Sequence, residues 1–139
     1  MLTPTQLEDG ESYATADEIL ACTDLPEATL RIPQWRRNGR PLVIRVRALS
    51  LEDKEAILQE ARQRDGSIST IARVESTLFY TCISPKLTRP QAAQLRHKNP
   101  TALESIVDFV WVLSALDQDL IDAAVQELTG AEPPADSGT

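Results

Sequence analysis

The 139-residue chain contains one histidine, His97, so any Ser–His–Asp or Cys–His device would have to use it. It stands among Arg96, Lys98 and Pro100, with nothing resembling a nucleophile beside it. Cys22 and Cys82 are the only cysteines, with 59 residues between them, no CxxC pair and no Cys/His cluster at metal spacing. Both sit in apolar stretches, which reads as buried free thiols in a reducing compartment. Asp117, Asp119 and Asp122 recur along a helical stretch but lack the glycine and the terminal glutamate of a calcium loop. They read as a solvated acidic face. Gly39, Gly66 and Gly130 are isolated, the pattern of turns and stops rather than of a phosphate loop. The expectation is a chain with no catalytic residues, no metal, no cofactor and no enzymatic activity.

The unusual polar feature is an arginine cluster: Arg31, Arg36, Arg37, Arg40, Arg45 and Arg47. On strands, these side chains would form the wet face of an edge hairpin, where charge blocks edge-to-edge pairing. A docking face for an acidic or helical partner is the other reading, because the planar guanidinium pairs carboxylates bidentately. Trp35, beside Arg36 and Arg37, either folds back onto the hairpin or anchors an interface. Charge is also segregated along the chain. All 14 Lys and Arg lie between Arg31 and Lys98, whereas residues 1–30 hold seven acids and residues 101–139 hold eight, neither with a base. Either an acidic end folds over the basic middle, or the basic middle waits for an acidic partner. A net charge of −7 argues against general nucleic-acid binding.

The elements that must position these residues centre on Leu30–Leu51. Leu30 and Ile32 alternate with Arg31, and Leu42, Ile44 and Val46 alternate with Val43, Arg45 and Arg47, the period of two of a half-buried strand. Pro33 should end the first run. The spacing predicts a hairpin over Glu27–Arg47 with a wide loop that carries Trp35, Arg36, Arg37 and Arg40, and with Asn38-Gly39 as a turn signal. Residues 1–15 read as a flexible acidic arm. A short helix follows through Ala21, with Ile19, Leu20 and Cys22 as its apolar contacts. After the hairpin, Ser50 caps a helix over Leu51–Arg64, whose stripe is Leu51, Ile57, Leu58 and Ala61. Ser69 or Thr70 caps the next, with Ile71, Val74, Leu78 and Cys82 on one face and Phe79 beside it. Thr88 or Arg89 caps a short helix that starts with Pro90 in its first turn.

Thr101 is expected to cap Ala102–Leu116, a helix apolar on two faces. Leu103, Ile106, Val107, Val110 and Leu113 form one stripe, and Phe109, Val112 and Leu116 form the other. Trp111 on this helix reads as core. A last helix is expected over Asp117–Leu128, then a disordered tail over 130–139. The fold class is therefore α+β, an N-terminal hairpin or small antiparallel sheet followed by four to five helices, in one domain over residues 16–129. The N-terminus lacks the basic start and apolar core of a signal peptide. No apolar run approaches the ~20 residues of a membrane span.

Several stretches come in a telling order. A strand with I-P-Q-W is followed by V-I-R-V-R-A-L-S, then by a helix that starts L-E-D-K-E. Next come A-R-V-E-S-T-L-F-Y-T-C-I, L-T-R-P-Q-A-A-Q-L and T-A-L-E-S-I-V-D-F-V-W-V-L-S-A-L. Over residues 16–128 this order resembles the tail assembly chaperones of long-tailed bacteriophages and related prophages. Two places depart from the family pattern and add positive charge: the basic stretch Arg36–Arg40 after the tryptophan, and Ser84-Pro85-Lys86 after Cys82. The resemblance implies a non-enzymatic protein of the bacterial host cytoplasm that is absent from the finished virion. It would bind the tape measure protein and keep it soluble and extended while tail tube subunits polymerise. In such families a frameshifted longer product recruits the tail tube protein, and the tail after Gly130 is where such an extension would attach. Self-association is also expected, since a basic middle meeting an acidic end makes a head-to-tail contact. The residues expected to touch a partner are Trp35, Arg36, Arg37 and Arg40 on the hairpin and Phe109, Val112 and Leu116 on the long helix. One rival is a small head–tail or tail protein retained in the virion, which its detection in purified particles would favour. The other is a nucleic-acid-binding regulator, which a steep salt dependence of DNA binding would favour.

Overall fold

The structure is a computed structural model that describes residues 2–115. In chain order it contains α1 (Ala16–Ala21), β1 (Glu27–Arg37), β2 (Arg40–Arg47), α2 (Leu51–Ala61), α3 (Thr70–Thr81), β3 (Cys82–Ser84), α4 (Arg89–Gln94), a 3-10 turn (Leu95–His97) and α5 (Pro100–Leu113). The strands form one antiparallel sheet in the order β1-β2-β3. With helices covering one face of this sheet, the arrangement is the expected α+β fold.

The period of two sets the register. Ala28, Leu30 and Ile32 face the core and pair with Val46, Ile44 and Leu42, while Thr29 and Arg31 point to solvent. A one-residue slip would expose every one of these apolar side chains. The hairpin differs from the expected wide loop. It closes in two residues, Asn38 and Gly39, with φ of 54° and 78° and with Arg37 opposite Arg40. Two consecutive left-handed residues match the twist of the flanking strands, which is why Asn-Gly is favoured there. The extra residues sit in β1 itself. Pro33, Gln34 and Trp35 bulge between Ile32, opposite Leu42, and Arg36, opposite Pro41. Pro33 therefore interrupts the ladder without ending the strand, because a bulge makes no demand on its missing N–H.

Capping residues start the helices. Thr15, Ser50 and Thr88 close reciprocal capping boxes with Glu18, Asp53 and Gln91, and Ser69 accepts from the Ala72 N–H. For α5 the cap is Asn99, not Thr101. Its Oδ1 accepts from the Ala102 N–H at 3.0 Å, and Pro100 occupies the first turn, where no N–H is needed. The helix ends at Leu113, and Leu116, Asp117–Leu128 and the tail lie outside the described residues.

The expected stripes hold at Ile57 and Ala61 on α2 and at Val74, Leu78 and Cys82 on α3, and each fails at its first residue. On α2 the inward residues are Asp53, Ile57 and Ala61, and Leu51, two positions from Asp53 and so nearly half a turn away, is 85% exposed. On α3 the inward face carries Val74, Thr77, Leu78 and Thr81, while Ile71 is half exposed. Its buried hydroxyls are satisfied locally: Thr81 Oγ1 donates to the Thr77 carbonyl at 2.7 Å, and Thr77 Oγ1 accepts from Trp111 Nε1 at 3.3 Å. β3 was not expected. It runs directly out of α3 and pairs Cys82 with Val46 and Ser84 with Arg45, which adds a third strand to the hairpin. Its three residues are too few to show a period.

The core lies between the inner face of the sheet and α2, α3 and α5. Seven of the 14 residues of α5 are buried, with the sheet on one side and α3 on the other, so this helix is the centre of the packing. By contrast, no residue of α1 is buried, and residues 2–24 are exposed throughout. Nothing lies within 4 Å of a Cβ placed on Gly39, so a substitution there tests the turn geometry alone. Gly39→Ala is expected to lower the unfolding free energy in a urea titration by about 1 kcal/mol, the cost of left-handed backbone with a Cβ. A wide, adaptable loop would show no change.

Candidate partner-binding surface

The arginine cluster divides into two groups. Arg45 lies across the sheet face and donates to Glu27 Oε1 at 2.7 Å and to Thr29 Oγ1 at 3.1 Å. Arg47 is half-buried and holds the Ala48 and Tyr80 carbonyls and the Asp53 carboxylate, all at 2.7–2.9 Å. These two serve the fold. Arg31, Arg36, Arg37 and Arg40 are exposed and make no ion pair among the described residues. Arg36 Nη1 donates to the Gly39 carbonyl at 2.9 Å, which braces the turn and leaves its charge open to solvent. Trp35 folds back. It is half-buried and packs against the core, so the bulge presents the ring inward and the guanidinium groups outward.

The second set of expected contact residues does not form one open face. Phe109 is 4% exposed and belongs to the core, Val112 is 50% exposed, and Leu116 lies outside the described residues. A helix apolar on two faces is either the centre of the fold or a partner surface, and α5 is the former: the sheet and α3 cover Phe109 and the first stripe, and Val112 stays half exposed. Trp111 is half-buried, and the charged ends of Lys54 and Arg73 stand 5.8 and 5.1 Å from its ring centroid.

Sequence reasoning did not find the groove between β1 and α5. It has a volume of about 210 Å³ and is walled by Leu30, Ile32, Pro33, Ala102, Ile106 and Phe109, with Arg31 and Gln34 at its rim. Its two walls are some 70 residues apart in the chain, as the numbering of Ile32 and Ala102 shows, so no local period could reveal it. Arg36 and Arg37 follow Gln34 along the same strand. An apolar trough beside unpaired cations is chemistry suited to an amphipathic helix with acidic flanks.

The remaining charged constellation is structural. Glu60 on α2 accepts from Arg89 Nη1 and Nη2 at 2.8 and 3.1 Å, from Ser76 Oγ at 2.8 Å and from the Tyr80 hydroxyl. Arg89 also stacks over Phe79, 4.0 Å from its centroid, so α2, α3 and α4 meet at one carboxylate. The Arg89 hydrogen bonds hold the Glu60 carboxyl down at about 2, and the Tyr80 phenol is raised by donating to it. Arg96 and Glu75 pair at 2.8 Å beside His97, which is exposed. Among the described residues, no three His, Cys, Asp or Glu side chains gather as a metal site would require. Burial pushes the Cys82 thiol up to about 11. Cys22, expected to be buried, is exposed because α1 stands away from the core.

No protein-family model matches the chain, and neither curated proteins nor solved structures give a match. Among the described residues, no helix is long and apolar enough to cross a membrane.

Glu60 yields a test with a definite sign. Its folded pKa lies below its unfolded value, so its contribution is present above about 4.5 and is lost as pH falls towards 2. Glu60→Gln is expected to lower stability at neutral pH by about 1 kcal/mol, a modest figure because Arg89 is half open to solvent. The difference from the parent chain should shrink below pH 4 in acid-limb urea titrations. A pH-independent difference would contradict the assignment.

Proposed function

We propose that the chain is a non-enzymatic tail assembly chaperone of a long-tailed phage or prophage. It acts in the host cytoplasm on the tape measure protein. One observation supports this reading beyond the order of sequence motifs: Arg31, exposed and without an ion pair among the described residues, lines an apolar groove, and Arg36 and Arg37 follow on the same strand with Arg40 opposite Arg37. A tape measure protein is long and helical, and its apolar stripes aggregate until the tube encloses them. A chaperone for it has to cover such stripes reversibly. A shallow apolar trough gives contact area, and rim cations give on-rate and orientation without locking the complex. Net charge of −7 keeps the carrier itself soluble.

The test is co-expression with the long coiled-coil-rich protein encoded just downstream, followed by fractionation and pull-down. That partner is expected to precipitate alone, and to be soluble and co-purify with this chain. Arg31→Glu/Arg37→Glu/Arg40→Glu is expected to weaken capture roughly ten-fold with little change in the unfolding midpoint, since these side chains make no ion pair among the described residues. A partner that stays insoluble, with this chain detected instead in purified particles, would overturn the proposal in favour of a virion component.

A further inference from the structure

The β1–α5 groove has a matching segment in the chain itself. Residues 1–24 hold six acids and no base. Within them α1 is a capped six-residue helix whose Asp17 and Glu18 stand beside Ile19 and Leu20, 64% and 82% exposed. A helix this short is marginal in water by itself, and its stability ordinarily comes from burying its apolar side against something. Among the described residues nothing supplies that contact, since no residue of α1 is buried and no arm residue lines the groove. Pro26 is pinned where β1 begins, its carbonyl accepting from the Ala48 N–H at 2.8 Å. The arm therefore leaves the domain at one end of β1 and projects into solvent.

We propose that α1 of one copy docks in the β1–α5 groove of a second copy. Ile19 and Leu20 would enter the trough over Phe109, Ile106 and Pro33. Asp17 and Glu18 would lie along the Arg31, Arg36 and Arg37 side. The charges complement each other: an arm without a base meets a strand edge whose arginines have no acidic partner among the described residues. The contact is heterologous, so it permits either a reciprocal pair or a chain of copies. It does not rest on the chaperone reading, because no client takes part in it, and a client helix would compete for the same groove.

Cross-linking decides the occupant. Cys22, just after α1, is exposed and Cys82 is buried, so Gln34→Cys at the exposed groove rim places one new thiol opposite one natural one. Mild oxidation is expected to give reducible species at twice the chain mass or its multiples, absent from the parent chain and from Cys22→Ser/Gln34→Cys. Consumed thiols at unchanged mass would mean that the arm covers its own groove. Thiols left free would mean that the groove does not take the arm. Heavy species formed equally by the parent chain would mean Cys22–Cys22 contact. Each of these three results overturns the proposal. A second readout needs no new thiol. Sedimentation of the parent chain should give a mass that rises with concentration and falls with salt. Ile19→Ser/Leu20→Ser, at positions the fold leaves exposed, should sediment at 15.3 kDa throughout. A parent chain that also stays at 15.3 kDa at every concentration would overturn the inference.

Discussion

The fold depends on what Arg47 holds. Its guanidinium joins the end of β2 to Asp53 in the first turn of α2 and to the Tyr80 carbonyl near the end of α3, at 2.7 and 2.8 Å. Asp53 also accepts from the Ser50 N–H at 3.0 Å, so one carboxylate closes both the helix cap and the ion pair. Burial works to raise the Asp53 carboxyl, but the hydrogen bonds from Arg47 and Ser50 outweigh it and keep it below its ordinary value. Removing one member of a buried pair costs on the order of 3 kcal/mol, against roughly 1 or less for an exposed one. This pair, with side chains 28% and 11% exposed, lies nearer the first case. It fixes the rotation of α2 and the point at which α3 gives way to β3, and so the surface on which α5 packs.

The charged residues divide into those that serve this frame and those that do not. Glu60, Arg89, Glu75 and Arg96 link the helices on one side of the domain, and Arg45 with Glu27 braces the sheet. Of the remaining hairpin arginines, Arg36 braces the turn through the Gly39 carbonyl, and Arg31, Arg37 and Arg40 make no ion pair among the described residues. Arg31, Arg36 and Arg37 lie on the edge strand β1, and Arg31 lines a trough between that strand and α5. One set of cations is ion-paired, and the other, among the described residues, is open to solvent.

Local chemistry was legible in the sequence, and long-range adjacency was not. Ser50 announces its helix, and Ser69 and Thr88 are each one of two candidates there, because a cap needs only its own turn, while at α5 Pro100 in the first turn moves the cap back from Thr101 to Asn99. The alternation around Ile32 and Ile44 gives the strand pair because its period is local. Asn38-Gly39 signalled the turn, but the three-residue excess was assigned to the loop rather than to a bulge at Pro33, since a bulge depends on the register of the partner strand. Leu51 and Phe109 failed for the same reason in opposite senses. Ion pairing by Asp53 turned Leu51 outward, and coverage by both sheet and α3 took Phe109 inward. At the candidate surface, Arg36, Arg37 and Arg40 were legible as solvent-facing charge. The groove was not, because it exists only where two distant segments meet.

The central claim is that binding occurs on the edge formed by β1 and α5. Hydrogen–deuterium exchange on a complex with the proposed partner, compared with the free chain, tests it most directly. Added protection is expected in residues 30–40 and 102–109, with α4 and the Glu60 network unchanged. Protection confined to α3 and α4, with none along β1, would contradict the claim.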